Sequence, residues 1–271
     1  MRIAYMSDLH LEFDAADGTE HGELPPVIET ALRPAQGADL VVLAGDIDQG
    51  TNGIVTADAI SRRLAAPVVY VFGNHEAYGC DMAALPPRLR ADAWETDGRV
   101  QFLDGNTVRF WFSGRPLAVL GCTLWTDYAI AGNAEAAMYH AEKQMNDHKS
   151  IGWNGGMFLP EHALELHRKQ RVWLAAQIVK LAAERPRPDI LIVTHHAPCR
   201  DAIGPRVFDL ASSYASDLRA EISSWGPLTW IHGHTHHRHT AKIGQATVAS
   251  APRGYASDGE RAAYLCGILE L

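Results

Sequence analysis

Aspartate, asparagine and histidine recur at the ends of apolar runs in this chain. Asp8 and His10 follow Arg2 to Met6, Asp46 follows Asp39 to Ala44, and Asn74 and His75 follow Pro67 to Phe72. Further on, His195 and His196 follow Asp189 to Val193, and His234 and His236 follow Leu228 to Ile231. A carboxylate oxygen and an imidazole nitrogen that converge suit a divalent first-row metal ion. One such pair means little, since Asp-x-His arises by chance and a lone histidine at a strand end is commonly structural. Five clusters in succession mean more, because buried strands have no packing reason to keep delivering carboxylates and imidazoles to one rim. The counts suit two ions held about 4 Å apart that clamp a displacement at phosphorus. Mixed oxygen and nitrogen shells of this kind accept divalent or trivalent Mn, Fe, Zn or Co. No thiolate joins the set, which argues against a purely structural zinc site.

The elements between these clusters alternate strand, polar turn, helix and strand, the order of a largely parallel α/β sheet. Ligands bind such sheets beyond the carboxyl ends of the strands, where the clusters fall. Helices are expected over Val27 to Arg33, Thr56 to Ala65, Pro160 to the Arg185-Pro186-Arg187-Pro188 stop, and Ser216 to Trp225. Short runs at Val100 to Leu103, Thr107 to Phe112 and Leu117 to Gly121 predict antiparallel sheet. Thr123 to Phe158, rich in aromatics, predicts an ordered flap with a short helix around Glu135 to Met145. Gln245 to Ser250 and Ala262 to Leu269 predict strands that complete a sheet. No repeat or linker interrupts the chain, so residues 1–271 are expected to form one domain.

A net charge of −8 argues against a nucleic-acid binder that works by counterion release, so nucleic acid is not an expected partner. Hydrophobic residues at 47% and charged ones at 21% fit an ordinary globular protein. Cys80, Cys122, Cys199 and Cys266 are scattered without metal-binding spacing and read as free thiols of a reducing compartment. With no signal-peptide pattern and no apolar run of membrane-spanning length, the expected location is the cytoplasm and no membrane partner is expected.

Asp8-x-His10, Gly45-Asp46, Gly73-Asn74-His75-Glu76, Thr194-His195-His196 and Gly233-His234-Thr235-His236, in that order, resemble the five motifs of the calcineurin-like metallophosphoesterases. The resemblance runs from residue 1 to about 255 and is of the bacterial or phage type. It implies a four-layer α/β/β/α sandwich of two mixed sheets with a dinuclear centre at the strand ends. It further implies that Asp8, His10 and His236 hold one metal, that Asn74, His195 and His234 hold the other, and that Asp46 bridges them. A hydroxide shared by the ions would be the nucleophile, since two cations lower the pKa of bound water. The family's non-ligand histidine corresponds to His75, which would contact the phosphate and protonate or support the leaving oxygen. Ala251-Pro252-Arg253-Gly254-Tyr255 resembles an Asn-Pro-Arg-Gly-Tyr segment of bacterial and phage members, with alanine for asparagine, and makes Arg253 a candidate substrate contact.

Other residues keep two readings. His196 is a substrate contact, a group behind the ligands, or the ligand in place of His195; the ligand role is assigned to His195. Trp125 and Tyr128 either line the substrate pocket or pack the flap. Arg200 and Arg206 are phosphate contacts or solvated loop charges, Asp48 is a third carboxylate or a turn residue, and His232, His237 and His239 shape the motif loop. The function expected is hydrolysis of a small-molecule phosphate ester, with a phosphodiester, cyclic nucleotides included, ahead of a monoester. Protein serine/threonine phosphatases carry Gly-Asp-x-Val-Asp-Arg-Gly, whereas this chain has Gly45-Asp46-Ile47-Asp48-Gln49-Gly50, shorter and without the arginine. A non-catalytic scaffold would have lost ligands or the histidine, and here all are present.

Overall fold

The computed structural model describes residues 1–14, 24–204, 210–258 and 263–271. Strands β1 (Arg2–Met6), β2 (Leu40–Ala44), β3 (Val68–Val71) and β4 (Val100–Phe102) run parallel, and β5 (Asn106–Phe112) pairs antiparallel with β6 (Arg115–Cys122). A two-stranded ribbon of β7 (Gly152–Trp153) and β8 (Gly156–Met157) precedes β9 (Asp189–Thr194), β10 (Thr229–His232), β11 (His239–Ile243), β12 (Ala246–Ser250) and β13 (Gly267–Glu270). One sheet has the order β13-β1-β2-β3-β4 and the other β11-β12-β10-β9-β6-β5. Each is mixed, because β13 and β1, β11 and β12, and β5 and β6 pair antiparallel while the inner strands are parallel.

Alternation along the strands sorts the core into three layers. Ile3, Tyr5, Val42, Val69 and Val71 meet Val119, Leu191, Val193 and Ile231 between the sheets. The opposite side chains of the first sheet, Ala4, Met6, Val41, Leu43 and Tyr70, pack on helices α1 (Pro26–Ala31) and α2 (Asn52–Leu64). The result is helix, sheet, sheet, helix, as expected. α3 (Asn74–Ala77), α4 (Leu85–Trp94), α5 (Ala134–Gln144) and α6 (Asp147–Ser150) follow in the chain, and α7 (Pro160–Ala182) with α8 (Arg219–Ser224) covers the outer face of the second sheet. On α7, Leu174, Ile178 and Leu181 bury against Leu120, Ile192 and Trp230. No helix among the described residues is long and apolar enough to cross a membrane.

Local departures have physical causes. β4 is not part of an antiparallel run with β5; it adds parallel to β3, and the turn after it carries the chain from one sheet to the other. α2 starts at Asn52 rather than Thr56 because Gly53, a poor helix former, leaves room for the Tyr70 ring and lets Ile54 enter the core. α4 carries its prolines in the first turn, where a missing N–H costs nothing; periodicity leaves this helix unread. The flap is ordered: α5, α6 and the β7–β8 ribbon place Ala141, Met145, Ile151 and Phe158 in the core. Backbone bonds Gly79 N to Ser150 O and Gly152 N to Cys80 O, both 2.8 Å, fasten it beside α3. Of the strand expected over Ala262 to Leu269 only the end is found, as β13 from Gly267; residues 263–266 are not strand, and Ala262 lies outside the described residues.

Candidate metal centre

Strands β1, β2 and β3 of one sheet and β9 and β10 of the other run parallel within their sheets and end at one rim where the sheets meet. Past β1 the chain curls through Asp8 (φ 52°) and His10 (φ 49°), both left-handed. That curl lets Asp8 N and His10 N donate to Gly45 O (2.9 Å) and Asp46 O (3.1 Å) after β2. Asp46, His234 and His236 are left-handed as well, at φ 54°, 69° and 48°. Non-glycine residues avoid this region, and runs of such outliers mark sites where the surroundings impose a geometry. Gly73 makes close approach possible: a Cβ there would collide with Asp46 Oδ1 and the His195 ring.

Three groups of side chains converge: Asp8, His10 and His236; His10, Asp46 and His75; and Asp46, His195 and His234. His10 Nε2 lies 3.1 Å from His236 Nε2, and His195 Nε2 lies 3.1 Å from His234 Nδ1 and 3.0 Å from Asn74 Oδ1. Asp46 Oδ2 stands between the groups, 3.3 Å from His195 Nε2 and 3.9 Å from His10 Nε2.

The outward atoms decide what these inward atoms are. His195 Nδ1 faces Ala44 O at 2.9 Å, His236 Nδ1 faces Asp258 Oδ2 at 2.8 Å and His10 Nδ1 faces Glu12 Oε1 at 3.1 Å. Each acceptor assigns the ring hydrogen to Nδ1 and leaves a lone pair on Nε2 pointing inward. Asn74 likewise gives its Nδ2 to Asp147 Oδ1 (2.9 Å) and Tyr78 Oη (3.0 Å), so its oxygen faces His195. Lone pairs opposed at 3.0–3.1 Å repel unless a metal ion or a proton sits between them. Asp8 Oδ2 is buried with no hydrogen-bond partner among the described residues. The donor set, oxygen and imidazole nitrogen without thiolate, fits divalent first-row ions.

Without an ion, protons take over this charge balance. Burial pulls His195 toward neutrality, but Asp46 and Asp8 overcome it and push its pKa up to about 10. Burial raises Asp46 too, yet His195, His75 and His10 hold it well below the usual carboxylate range. His234 goes the other way: burial, His196 and His195 keep it neutral, with its lone pair available.

Beside the centre lies a cavity of about 770 Å³, lined by Asp46, Asn74, His75, His234 and His236 of the motifs and by residues that include Tyr78, Asn146, Tyr214, Tyr255 and Asp258. His75 faces it through Nε2, which is 3.0 Å from the Tyr255 hydroxyl. Burial lowers the His75 pKa, and Asp46, Glu12 and Glu76 together reverse this and raise it to about 9.

The family model described as calcineurin-like phosphoesterase matches residues 1–238. The chain belongs to the calcineurin-like phosphoesterase family. No curated protein sequence matches it. Among solved structures, a phosphopantetheinyl hydrolase from Mycobacterium tuberculosis superposes with a TM-score of 0.68 at 16% identity, covering 96% of this chain and 91% of that one. TT1561 of Thermus thermophilus gives 0.52 at 15% identity, covering 99% and 98%. At these identities the likeness is one of fold.

In this family member the expected ligands Asp8, His10, Asp46, Asn74, His195, His234 and His236 all lie at the rim. His196 does not face the converging atoms; its ring lies behind, 4.1 Å from that of His234 and 4.9 Å from that of Trp125. Trp125 is buried on Phe158, and the Tyr128 hydroxyl meets His148 Nε2 at 3.4 Å, so both pack under the flap. Arg253 braces the turn after His10, donating to Leu9 O (2.9 Å) and Asp14 Oδ2 (2.7 Å). None of these four lines the cavity among the described residues. Asp48 caps a turn by accepting from Gln49 N at 2.6 Å, Arg200 donates to Ile130 O, His232 bonds Gly233 O at 2.9 Å, and Arg206 lies outside the described residues.

Sequence reasoning misses the residues that orient the ligands. Glu76 is buried and accepts from Asp46 N, Ile47 N, Gly73 N and Tyr70 Oη, binding two motif loops together, while burial and Asp46 raise its pKa to about 7. Asp147 and Asp258 sit outside every motif. Glu12, two residues past His10, carries a readable signal in the alternation Asp8-Leu9-His10-Leu11-Glu12.

Proposed function

We propose that the protein is a metal-dependent phosphodiesterase acting on a small molecule, with Asp8, His10 and His236 holding one ion, Asn74, His195 and His234 a second, and Asp46 shared. The observation that carries this reading is the set of opposed inward lone pairs, with the outward ring hydrogens of His195, His236 and His10 already taken by Ala44, Asp258 and Glu12. Two ions bound there would supply Lewis-acid activation of a water and neutralise charge on the phosphate. His75, held through Nδ1 by Glu12 and with its pKa raised by Asp46, Glu12 and Glu76 in the metal-free protein, presents Nε2 to the cavity, where it can give a proton to the leaving oxygen.

The mouth supports a diester over a monoester. Tyr78, Gln144, Met145, Asn146, Leu210, Tyr214, Thr235 and Tyr255 are uncharged, Asp258 is acidic, and no lysine or arginine lines the cavity among the described residues. Beyond His75, a monoester dianion finds no cationic side chain at the mouth among the described residues for its extra charge, whereas a diester monoanion needs none and its second substituent can lie on the tyrosine rings. The decisive experiment is a panel of aryl monoesters, aryl diesters and cyclic nucleotides on Mn-loaded protein. Diester turnover well above monoester turnover is expected; the reverse order replaces the diester reading with a phosphomonoesterase, and no turnover of either removes the reading.

A further inference from the structure

We propose that Glu12 is a positioning residue whose single oxygen sets both a metal ligand, His10, and the leaving-group acid, His75; this rests on the phosphoesterase reading above. Glu12 Oε1 lies 2.7 Å from His75 Nδ1 and 3.1 Å from His10 Nδ1. The two rings meet edge to face with centroids 4.4 Å apart. The carboxylate is 7% exposed, and its other oxygen is buried without a hydrogen-bond partner among the described residues. It is therefore committed to the two imidazoles.

Its place follows from the backbone that builds the centre. Glu12 lies in the 3-10 turn Leu11–Phe13 directly after His10, and Leu11 N donates to Ile47 O at 3.1 Å, next to Asp46. An imidazole rotates about two side-chain bonds, so its ring can present either nitrogen to the cavity. A buried carboxylate that takes Nδ1–H removes that choice and leaves Nε2 pointing inward. For His10 that nitrogen meets the metal position; for His75 it meets the cavity and the Tyr255 hydroxyl, 3.0 Å away. Because one oxygen serves both rings, removing it loosens both.

The test uses the full chain loaded with Mn and two aryl diesters. The nitrophenyl ester has a leaving oxygen that needs no proton, and the unsubstituted phenyl ester has one that does. Glu12→Ala should lower kcat on the phenyl ester at least about tenfold more than on the nitrophenyl ester, a fraction of what a general acid contributes. Glu12→Gln keeps an accepting oxygen in place and should fall between wild type and Glu12→Ala, in the same order for the two esters. In metal-free protein, long-range proton–nitrogen NMR should show hydrogen-bonded Nδ1–H at His10 and His75, lost at both in Glu12→Ala and retained at His236, which Asp258 serves. Equal losses on both esters, or an NMR change at only one ring, overturn the proposal; if Glu12→Ala does not fold, the same criteria apply to Glu12→Gln. Wild-type protein that cleaves neither ester overturns the phosphoesterase reading and the proposal together.

Discussion

Asp147 belongs to none of the five motifs, yet it fixes the orientation of Asn74. Its Oδ1 accepts from Asn74 Nδ2 at 2.9 Å and from the Tyr78 hydroxyl at 2.7 Å, and the residue is 3% exposed. With its amide hydrogens so engaged, Asn74 must offer its oxygen to the centre. Asp147→Ala leaves the buried Asn74 amide and the half-buried Tyr78 hydroxyl without this acceptor, at roughly 1–3 kcal/mol for the first and less for the second. The cost is moderated because Asn74 Nδ2 also reaches Tyr78 Oη, at 3.0 Å. We expect a net loss of about 2–3 kcal/mol in urea unfolding of the metal-free protein. Mn affinity measured by calorimetry should fall roughly 10–100-fold, the usual effect of removing a partner that orients a ligand. Asp147→Asn puts an amide oxygen where Oδ1 was and removes only the charge, so it should cost about 1 kcal/mol and leave Mn binding nearly intact. If Asp147→Ala unfolds within about 0.5 kcal/mol of wild type and binds Mn as tightly, the flap carboxylate does not orient Asn74. An Asp147→Asn variant worse than Asp147→Ala would refute the reasoning equally.

Two further outcomes test the centre. Gly73→Ala, at a φ of −105° open to any residue, meets only the steric clash with Asp46 and His195, and should cost about 1–3 kcal/mol and abolish Mn binding at both positions; normal binding would exclude a shared Asp46. In the metal-free protein His75 should titrate near 9 by NMR against an ordinary 6.5, because Asp46 and Glu12 outweigh its burial. A raised folded pKa means that its contribution to stability is complete below pH 6.5 and is lost as pH rises through about 9; a midpoint at or below 6.5 would show that burial wins.

The proposed ligands are legible in the sequence because each ends an apolar strand, and a parallel sheet sends its strand ends to one rim. The layer order is legible for a related reason: unbroken apolar runs such as β2 and β9 bury both faces and so need a layer on each side. What stays hidden depends on contacts between distant segments. Asp147 and Asp258 reach Asn74 and His236 across 73 and 22 residues of chain, and no spacing encodes either pair. The short runs at β4 and β5 look alike in sequence, and only the choice of neighbour puts one parallel to β3 and the other in a hairpin with β6. Arg253 reads as a free cation until Asp14, brought up by the turn after His10, accepts it.

The backbone at the rim carries a further argument. Asp8, His10, Asp46, His234 and His236 all hold positive φ, a conformation that costs a non-glycine residue roughly 1–3 kcal/mol. Glycine would relieve it at each position, as Gly45 and Gly254 do beside them at φ 84° and 75°. Strain that glycine would remove, placed where the side chains converge, means that the side chains themselves are what the rim is built to present. The same curl turns two nearby residues onto a single point: in a continued strand Asp8 and His10 would share a face with Cα atoms roughly 6.6 Å apart, too far along the edge for both to meet His236. Left-handed turns gather them instead, with His236 Nε2 at 3.5 Å from Asp8 Oδ1 and 3.1 Å from His10 Nε2. Cations held by these residues would screen the opposed lone pairs and so favour the rim conformation despite its backbone strain.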